Sequence, residues 1–185
     1  MALGLRLHPI EGARCYCPPN LNSRAAPRFS CYSQLEGMMM SAISQTEVLS
    51  AADRIEIHEL TTAYGVHHDL RDFSSLRRCF TSDATYVMRV AGGPIYGPRV
   101  GVDEIVDQIK IFKGSQSDKR RHHISNIQVL PQDSNTATVL SYVIVSAVAN
   151  HELTFKTVGT YTDTVTRTSE GWRISAKELN LDTGF

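Results

Sequence analysis

Two short segments carry the side chains with the clearest chemical potential. One spans residues 64–69 and ends on Asp69, and the other spans residues 120–126 and contains the adjacent His122 and His123. A carboxylate that orients an imidazole forms a pair that can take up and release a proton without a metal or an organic cofactor. An Asp–His dyad is therefore the sharpest functional hint in the sequence, and we expect neither a cofactor nor a bound metal.

The residue pattern alone leaves open which histidine is the partner of Asp69. Strand alternation places His123 with Ile127 and Val129 on the more apolar side, and His122 on the more polar side. A carboxylate at the carboxyl end of a helix meets an unfavourable dipole and is stabilised by a donor such as either imidazole. The plain alternative is a solvated aspartate and two strand-edge histidines in water.

Composition indicates an ordinary soluble globular protein. The chain has 185 residues, of which 42% are hydrophobic and 21% charged, and Lys+Arg and Asp+Glu balance at 19 each. That balance gives no reason to expect nucleic acid or an anionic membrane as a partner. No apolar run approaches the ~20 residues that cross a bilayer. The amino terminus also lacks a convincing secretory core, so we expect a cytoplasmic protein.

The chain divides into an extension and one domain. Residues 1–44 contain four prolines and scattered arginines without a sustained period, and we predict a disordered extension there. The domain is predicted to span residues 45–185. Its first helix begins at a capping box formed by Ser50 and Asp53 and ends near Asp69.

Apolar periodicity and turn residues predict the other elements. A second, short helix follows Asp72 and is expected to carry the buried Cys79 and Phe80, and a third helix runs from Val102 to Gly114. Strands are predicted at residues 84–91, 95–96, 122–130, 137–149, 153–167 and 172–181. The last four are linked by hairpins and form a strongly curved antiparallel sheet. We therefore predict an α+β fold, a cone-shaped barrel with three N-terminal helices packed in that sheet and a mouth that holds a small ligand.

From about Thr46 to Phe185 the chain resembles the SnoaL-like group of the nuclear-transport-factor-2-like superfamily. The strings that carry the resemblance are Ile57-His-Glu-Leu60 followed by Tyr64 and Asp69, Phe80-Thr-Ser-Asp-Ala84, His122-x-x-x-Asn126, Gly159-Thr-Tyr-Thr-Asp163 and Gly171-Trp-Arg-Ile174. Within the superfamily the pattern is most similar to scytalone dehydratase and the bile-acid dehydratases. One fold hosts many functions, so the resemblance speaks more directly for the fold than for the activity.

The resemblance implies a set of catalytic residues. It assigns the acid–base pair to Asp69 and His122, with His123 as the alternate, and it places Tyr64 beside them as a hydrogen-bond donor to the substrate. His67 and His68 are further alternates on the same helical turn. The residues expected to bind substrate are Met88, Phe112, Asn126, Tyr142 and Tyr161.

The resemblance also implies an activity and an assembly. We expect a cofactor-independent lyase or isomerase, with dehydration as the first choice, that acts on a small apolar hydroxylated or carbonyl compound. A homodimer or homotrimer is expected, because the strand at residues 137–149 is apolar on both faces and both faces need cover. The alternative is a non-catalytic module of the same fold that binds a small ligand or serves dimerisation.

Overall fold

The computed structural model describes residues 49–184. The predicted extension at residues 1–44 lies outside the described residues. Within them the elements follow one another as α1 Ala51–Leu70, α2 Phe73–Arg78, β1 Phe80–Val90, β2 Ile95–Val100, α3 Val102–Gly114, β3 Lys119–Pro131, β4 Thr136–Ala149, β5 Glu152–Thr168 and β6 Gly171–Leu181.

Helix α1 begins and ends on local signals in the sequence. The Ser50 hydroxyl accepts from the Asp53 N–H and the Asp53 carboxylate accepts from the Ser50 N–H, which is the predicted capping box. Arg71 ends the helix in the left-handed conformation, with φ of 57°. Asp69 therefore lies in the last helical turn, where the helix dipole alone disfavours a negative charge.

Helix α2 is shorter than the sequence predicted. Asp72 caps its amino end by accepting from the Ser75 N–H. Cys79 is buried as predicted, but it follows the helix as its C-cap, and Phe80 already belongs to strand β1. The assignment of both residues to the helix was wrong because a short apolar run fits a helix end and a buried strand start equally well.

The six strands form one sheet in the order β2-β1-β6-β5-β4-β3. Strands β3 to β6 pair as antiparallel neighbours, as the hairpins predicted, but β1 pairs with β6 in parallel. The sheet is therefore mixed, and the prediction of an antiparallel sheet needs this correction. Helix α3 follows β2 and precedes the four antiparallel strands β3 to β6, as predicted.

An irregularity in β3 changes which side chains face the helices. The pairing of β3 with β4 shifts register between Ser125 and Gln128, and Asn126 in this bulge has φ of 54°. Before the bulge, even-numbered residues such as His122 and Ile124 are the more buried ones, whereas after it Val129 is buried. A bulge adds one residue to a strand and so reverses the alternation beyond it.

The core lies between the inner face of the sheet and the helices. Its largest fully buried side chains include Trp172, Tyr64 and Tyr161, and the helices contribute Ile57 and Ile105, which have no exposed surface. Each such aliphatic side chain stabilises the fold by about 1.5–3 kcal/mol relative to an exposed one. Among residues 49–184 no helix has the length and apolar character needed to cross a membrane.

Candidate functional site

Asp69 and His122 are in direct contact. The Asp69 Oδ1 lies 2.6 Å from the His122 Nδ1, and the Asp69 Oδ2 accepts the His122 main-chain N–H at 2.8 Å. Both side chains are largely buried, at 8% and 11% exposure. Two bonds from one carboxylate fix both the main chain and the ring of His122. With a proton on Nδ1, the other ring nitrogen, Nε2, is the basic one.

His122 lines an apolar cavity between the sheet and the helices, and Asp69 is not among the lining residues. Side chains of the inner sheet face and of the helices border this partly open cavity. Its lining includes Tyr64, His68, Met88, Phe112, Val145 and Tyr161. The free volume is about 50 Å³, which is room for one or two waters at roughly 30 Å³ each.

His68 lies between Tyr64 and His122. Its ring centroid is 5.8 Å from that of Tyr64 and 4.3 Å from that of His122. Burial, and then the charges of His122, Lys113 and Lys177, hold the pKa of His68 well below its ordinary value, so the ring is neutral at pH 7. Tyr64 therefore faces the dyad across a second imidazole rather than touching it.

Two tyrosines, Tyr64 and Tyr161, line the cavity side by side, with ring centroids 6.0 Å apart in an edge-to-face contact. Burial raises the pKa of both phenols well above the ordinary value. Both are therefore protonated at neutral pH. A protonated phenol has one O–H donor, so these tyrosines can donate to a ligand oxygen in the cavity.

A buried ion pair supports the two tyrosines. The Lys177 Nζ donates to the Asp163 Oδ2 at 2.7 Å, and both side chains are 1% exposed. The same ammonium lies 4.0 Å from the ring centroid of Tyr64 and 3.9 Å from that of Tyr161. Burial lowers the pKa of Lys177 and raises that of Asp163, and their mutual attraction opposes both effects. A cation held against two ring faces fixes the orientation of both phenols.

The environment of Asp69 keeps its carboxylate ionised. Burial favours the neutral acid, but the hydrogen bonds from His122, its charge and that of Lys113 outweigh burial, so the pKa of Asp69 lies below its ordinary value. The Lys113 Nζ lies 3.9 Å from the Asp69 Oδ1. Burial lowers the pKa of Lys113, and the Asp69 charge opposes that shift.

The same neighbourhood offers three candidate metal ligands. Ligand atoms of His68, Asp69 and His122 lie within 4.8 Å of one another. Both Asp69 oxygens, however, already contact His122, and the Lys113 ammonium lies beside one of them. A cation next to an ammonium and a fully used carboxylate is disfavoured, so these residues fit a proton-transfer pair better than a metal site.

The structure places three of the sequence-predicted residues away from the cavity. The His123 Nε2 lies 2.8 Å from the Ser146 Oγ, and His123 is exposed. Tyr142 is 55% exposed on the outer sheet face, and Asn126 lies with it beside an outer depression. The structure therefore does not bring His123, Tyr142 or Asn126 to the cavity that His122 lines. On β4 the valines on either side of Tyr142 point inward in the alternation, so Tyr142 points outward. On β3 the bulge at Asn126 interrupts the alternation of inward and outward side chains.

Sequence reasoning missed several polar residues around the site. Lys113 continues the buried stripe of Ile105 and Ile109 at four-residue spacing, and that spacing was a usable signal. Asp163 lies two residues after Tyr161 on the same strand and so points to the same, inner face, which strand alternation could have predicted. Arg120 and Gln116 line the cavity from the segment around the start of β3, where no periodic pattern identifies them.

Comparison with known proteins identifies the family to which this chain belongs. The model of the SnoaL-like domain matches residues 50–178, and the chain belongs to that family. The anthranilate 1,2-dioxygenase small subunit of Burkholderia cepacia is 28% identical over 138 residues, which cover 69% of this chain and 86% of that protein.

Solved structures agree on the fold. An NTF2-like protein with a cystatin-like fold from Novosphingobium aromaticivorans is 22% identical with a TM-score of 0.60, over 83% of this chain and 91% of its own. ActVI-ORFA from Streptomyces coelicolor is 18% identical with a TM-score of 0.61, over 70% of this chain and 97% of its own. These structures confirm the α+β fold class, and the match of the family model to residues 50–178 confirms the predicted SnoaL-like family.

Proposed function

We propose that this protein is a cofactor-independent lyase or isomerase, with dehydration as the first choice of reaction. The substrate is a small, largely apolar compound that carries a carbonyl and a hydroxyl group. The observation that carries the proposal is the double contact of Asp69 with His122, which turns the His122 Nε2 towards an apolar cavity as a base.

The chemistry follows from the groups in the cavity. His122 takes a proton from the carbon next to the carbonyl, and the electron pair of that C–H bond forms the enolate. The enolate expels the hydroxyl group on the next carbon as a C=C bond forms, and the His122 imidazolium returns the proton so that water leaves. Asp69 stabilises the imidazolium, and the protonated phenols of Tyr64 and Tyr161, which line the cavity, donate to the enolate oxygen.

The narrow cavity limits the substrate. A free volume of about 50 Å³ is well below the roughly 300–1,000 Å³ of common ligand pockets. A substrate therefore enters only if lining side chains move. Phe112, Gln116 and Arg120 line the cavity and are only partly buried, so we assign the opening to them.

Proton abstraction can be measured without knowing the product. A panel of small ketones and β-hydroxy ketones is incubated with the protein in D₂O, and deuterium uptake next to the carbonyl is followed by NMR. The His122→Ala variant is expected to lose about 10²–10⁴-fold of the enzyme-dependent rate. His123→Ala is the matched control, because it removes a neighbouring imidazole on the outer face. Equal rates in the wild type and His122→Ala would overturn the assignment.

A second candidate is a non-catalytic subunit of an assembly. The Burkholderia cepacia relative is a dioxygenase small subunit, and the narrow cavity fits this alternative as well. The outer face of the sheet also carries an exposed apolar patch, formed by Tyr142, Ile144, Val148, Leu153, Phe155 and Val158. The cross-strand pairs of β4 and β5 make the patch continuous, since Ile144 pairs with Val158 and Val148 with Leu153.

The two candidates make different predictions about the patch. We propose that it joins copies of this chain into a homodimer or homotrimer, which leaves the cavity complete in each copy. Sedimentation of the wild type is expected to show that oligomer, and Phe155→Glu is expected to give monomers. Ile55→Glu, at an exposed site on α1, is the control. A wild type that is monomeric and also inactive in the D₂O assay would favour the subunit alternative.

A further inference from the structure

A second, polar cavity lies on the other side of Asp69 from the apolar one. It has a volume of about 310 Å³ and is lined by residues of the α1 end, the α3 end and the start of β3. Asp69 is part of its wall, and Gln116 and Arg120 line both cavities. The two spaces are therefore separated by the dyad and by these two side chains.

The polar cavity is strongly basic. Five of its lining residues are cationic, namely Arg71, Lys113, Lys119, Arg120 and Arg121, and two are acidic. Both acids already have partners within the protein. Asp118 contacts Arg120 at 2.9 Å and Lys156 at 3.5 Å, and Asp69 contacts His122. Positive charge in a concave, partly enclosed site raises the local concentration of anions.

Lys113 makes the cavity more than a solvated basic surface. Its side chain is only 4% exposed, and its ion-pair partner among the described residues, Asp69, is 3.9 Å away, beyond hydrogen-bond distance. Among residues 49–184 its ammonium makes no hydrogen bond. A largely buried lysine whose ammonium donates to none of these residues can donate to an anion that enters the cavity.

We propose that the polar cavity binds an anionic oxygen group, a phosphate or a carboxylate, with Lys113 as its buried donor. Arg71 and Lys119 supply further positive charge at the rim. The group arrives either as a free anion or as the head of a substrate whose apolar part passes Gln116 and Arg120 towards His122. Only the second source depends on the proposed function, because the anion site itself requires no reaction.

The first test uses inorganic phosphate and the full chain. Phosphate is titrated in low-salt buffer, and binding is followed by calorimetry and by NMR shifts of the amides at residues 113–121. Saturable binding at one site is expected, and it weakens as sodium chloride is added. Lys113→Met is expected to weaken it about tenfold or more, because a charge-assisted hydrogen bond is lost.

A matched variant separates a built site from diffuse charge. Lys110 lies on the same helix, is half exposed and pairs with Asp107 at 2.9 Å, so Lys110→Met removes the same charge from outside the cavity. Both methionine variants are expected to fold, since Lys113→Met removes a buried charge and keeps the apolar stem. The proposal is overturned if phosphate does not saturate, or if the two variants weaken binding equally.

A second arm distinguishes the two sources. Phenyl phosphate and phenol are compared with inorganic phosphate in the same titration. Tighter binding of phenyl phosphate than of either part identifies the site as the head-group site of a substrate, whereas equal affinity for phenyl phosphate and phosphate identifies a free-anion site. His122→Ala is expected to retain phosphate binding. If His122→Ala loses deuterium exchange but still binds phosphate, the anion site and the proposed reaction are independent, and either proposal can fail without the other.

Discussion

The Asp69 carboxylate binds His122 at two atoms, the ring Nδ1 and the main-chain nitrogen. One carboxylate oxygen meets the ring Nδ1 at 2.6 Å, and the other accepts the main-chain N–H at 2.8 Å. The first contact sets the tautomer of the ring, and the second ties the carboxyl end of α1 to the start of β3. The same carboxylate thus serves the site and the fold, and the two roles can be separated by substitution.

Replacing Asp69 with asparagine is expected to reverse the tautomer of His122. An asparagine oxygen can still accept the main-chain N–H, but its amide then donates to Nδ1 and leaves the proton on Nε2, where the base should be. The exchange rate in D₂O is expected to fall about 10²–10⁴-fold with the fold intact. Nitrogen-15 NMR of the ring checks the tautomer directly. The control variant Asp103→Asn, at a largely exposed site on α3, should change neither the exchange rate nor the His122 tautomer.

The contact between Asp69 and His122 should also affect how the free energy of unfolding depends on pH. The pKa of Asp69 in the folded protein lies below the ordinary value of 3.8. Its carboxylate therefore stabilises the fold above that value, and this contribution is lost as the pH falls through the lowered pKa. Urea unfolding of the wild type between pH 7 and pH 2 is expected to show a steeper loss below pH 4 than that of Asp69→Asn. Parallel curves for the two proteins would contradict the assigned environment.

Local sequence signals were sufficient for most elements but not for the way they assemble. The capping box of Ser50 and Asp53 and the turn residues between β4, β5 and β6 act over a few residues, so they could be read directly. The parallel pairing of β1 with β6 joins Phe80 to Ile174. Such a long-range contact leaves no local trace, and for that reason the mixed sheet was missed.

The choice between His122 and His123 shows a second limit. Regular alternation predicted His123 on the apolar side with Val129, yet His122 faces the cavity. The bulge at Asn126 explains the difference, because the rule fails for residues on opposite sides of an inserted residue. An asparagine tolerates positive φ better than most residues, but its presence alone does not announce a bulge. The resemblance to known enzymes supplied what alternation could not.

The buried ion pair of Lys177 and Asp163 is expected to contribute to the free energy of unfolding through the coupling of its two charges. Lys177→Met leaves Asp163 buried without a cation and should cost about 3–5 kcal/mol in the free energy of unfolding. The double variant Lys177→Met with Asp163→Leu should cost much less than the sum of the single variants, since it leaves no charge unpaired. Denaturant unfolding of the four proteins measures this coupling. Additive costs would show that the pair is not coupled.

Phe112 is expected to control how large a ligand the apolar cavity admits. Its ring lines the cavity and packs edge-on against Tyr96, with centroids 5.1 Å apart. Phe112→Ala should therefore widen the cavity and let it bind ketones that the wild type excludes. Each further buried methylene contributes about 0.8 kcal/mol, so affinity should rise about fourfold per added carbon until the new space is filled. Calorimetric titration with a series of straight-chain ketones measures that slope.

The control for this substitution is Phe155→Ala, which removes a phenyl ring that is 73% exposed on the outer sheet face. It is expected to change the oligomer but not the dependence of affinity on ketone length. If Phe112→Ala and the wild type show the same dependence, Phe112 does not limit the cavity. Gln116 and Arg120 would then limit the size of the cavity. In that case Gln116→Ala, titrated with the same ketones, should bind longer ketones than the wild type does.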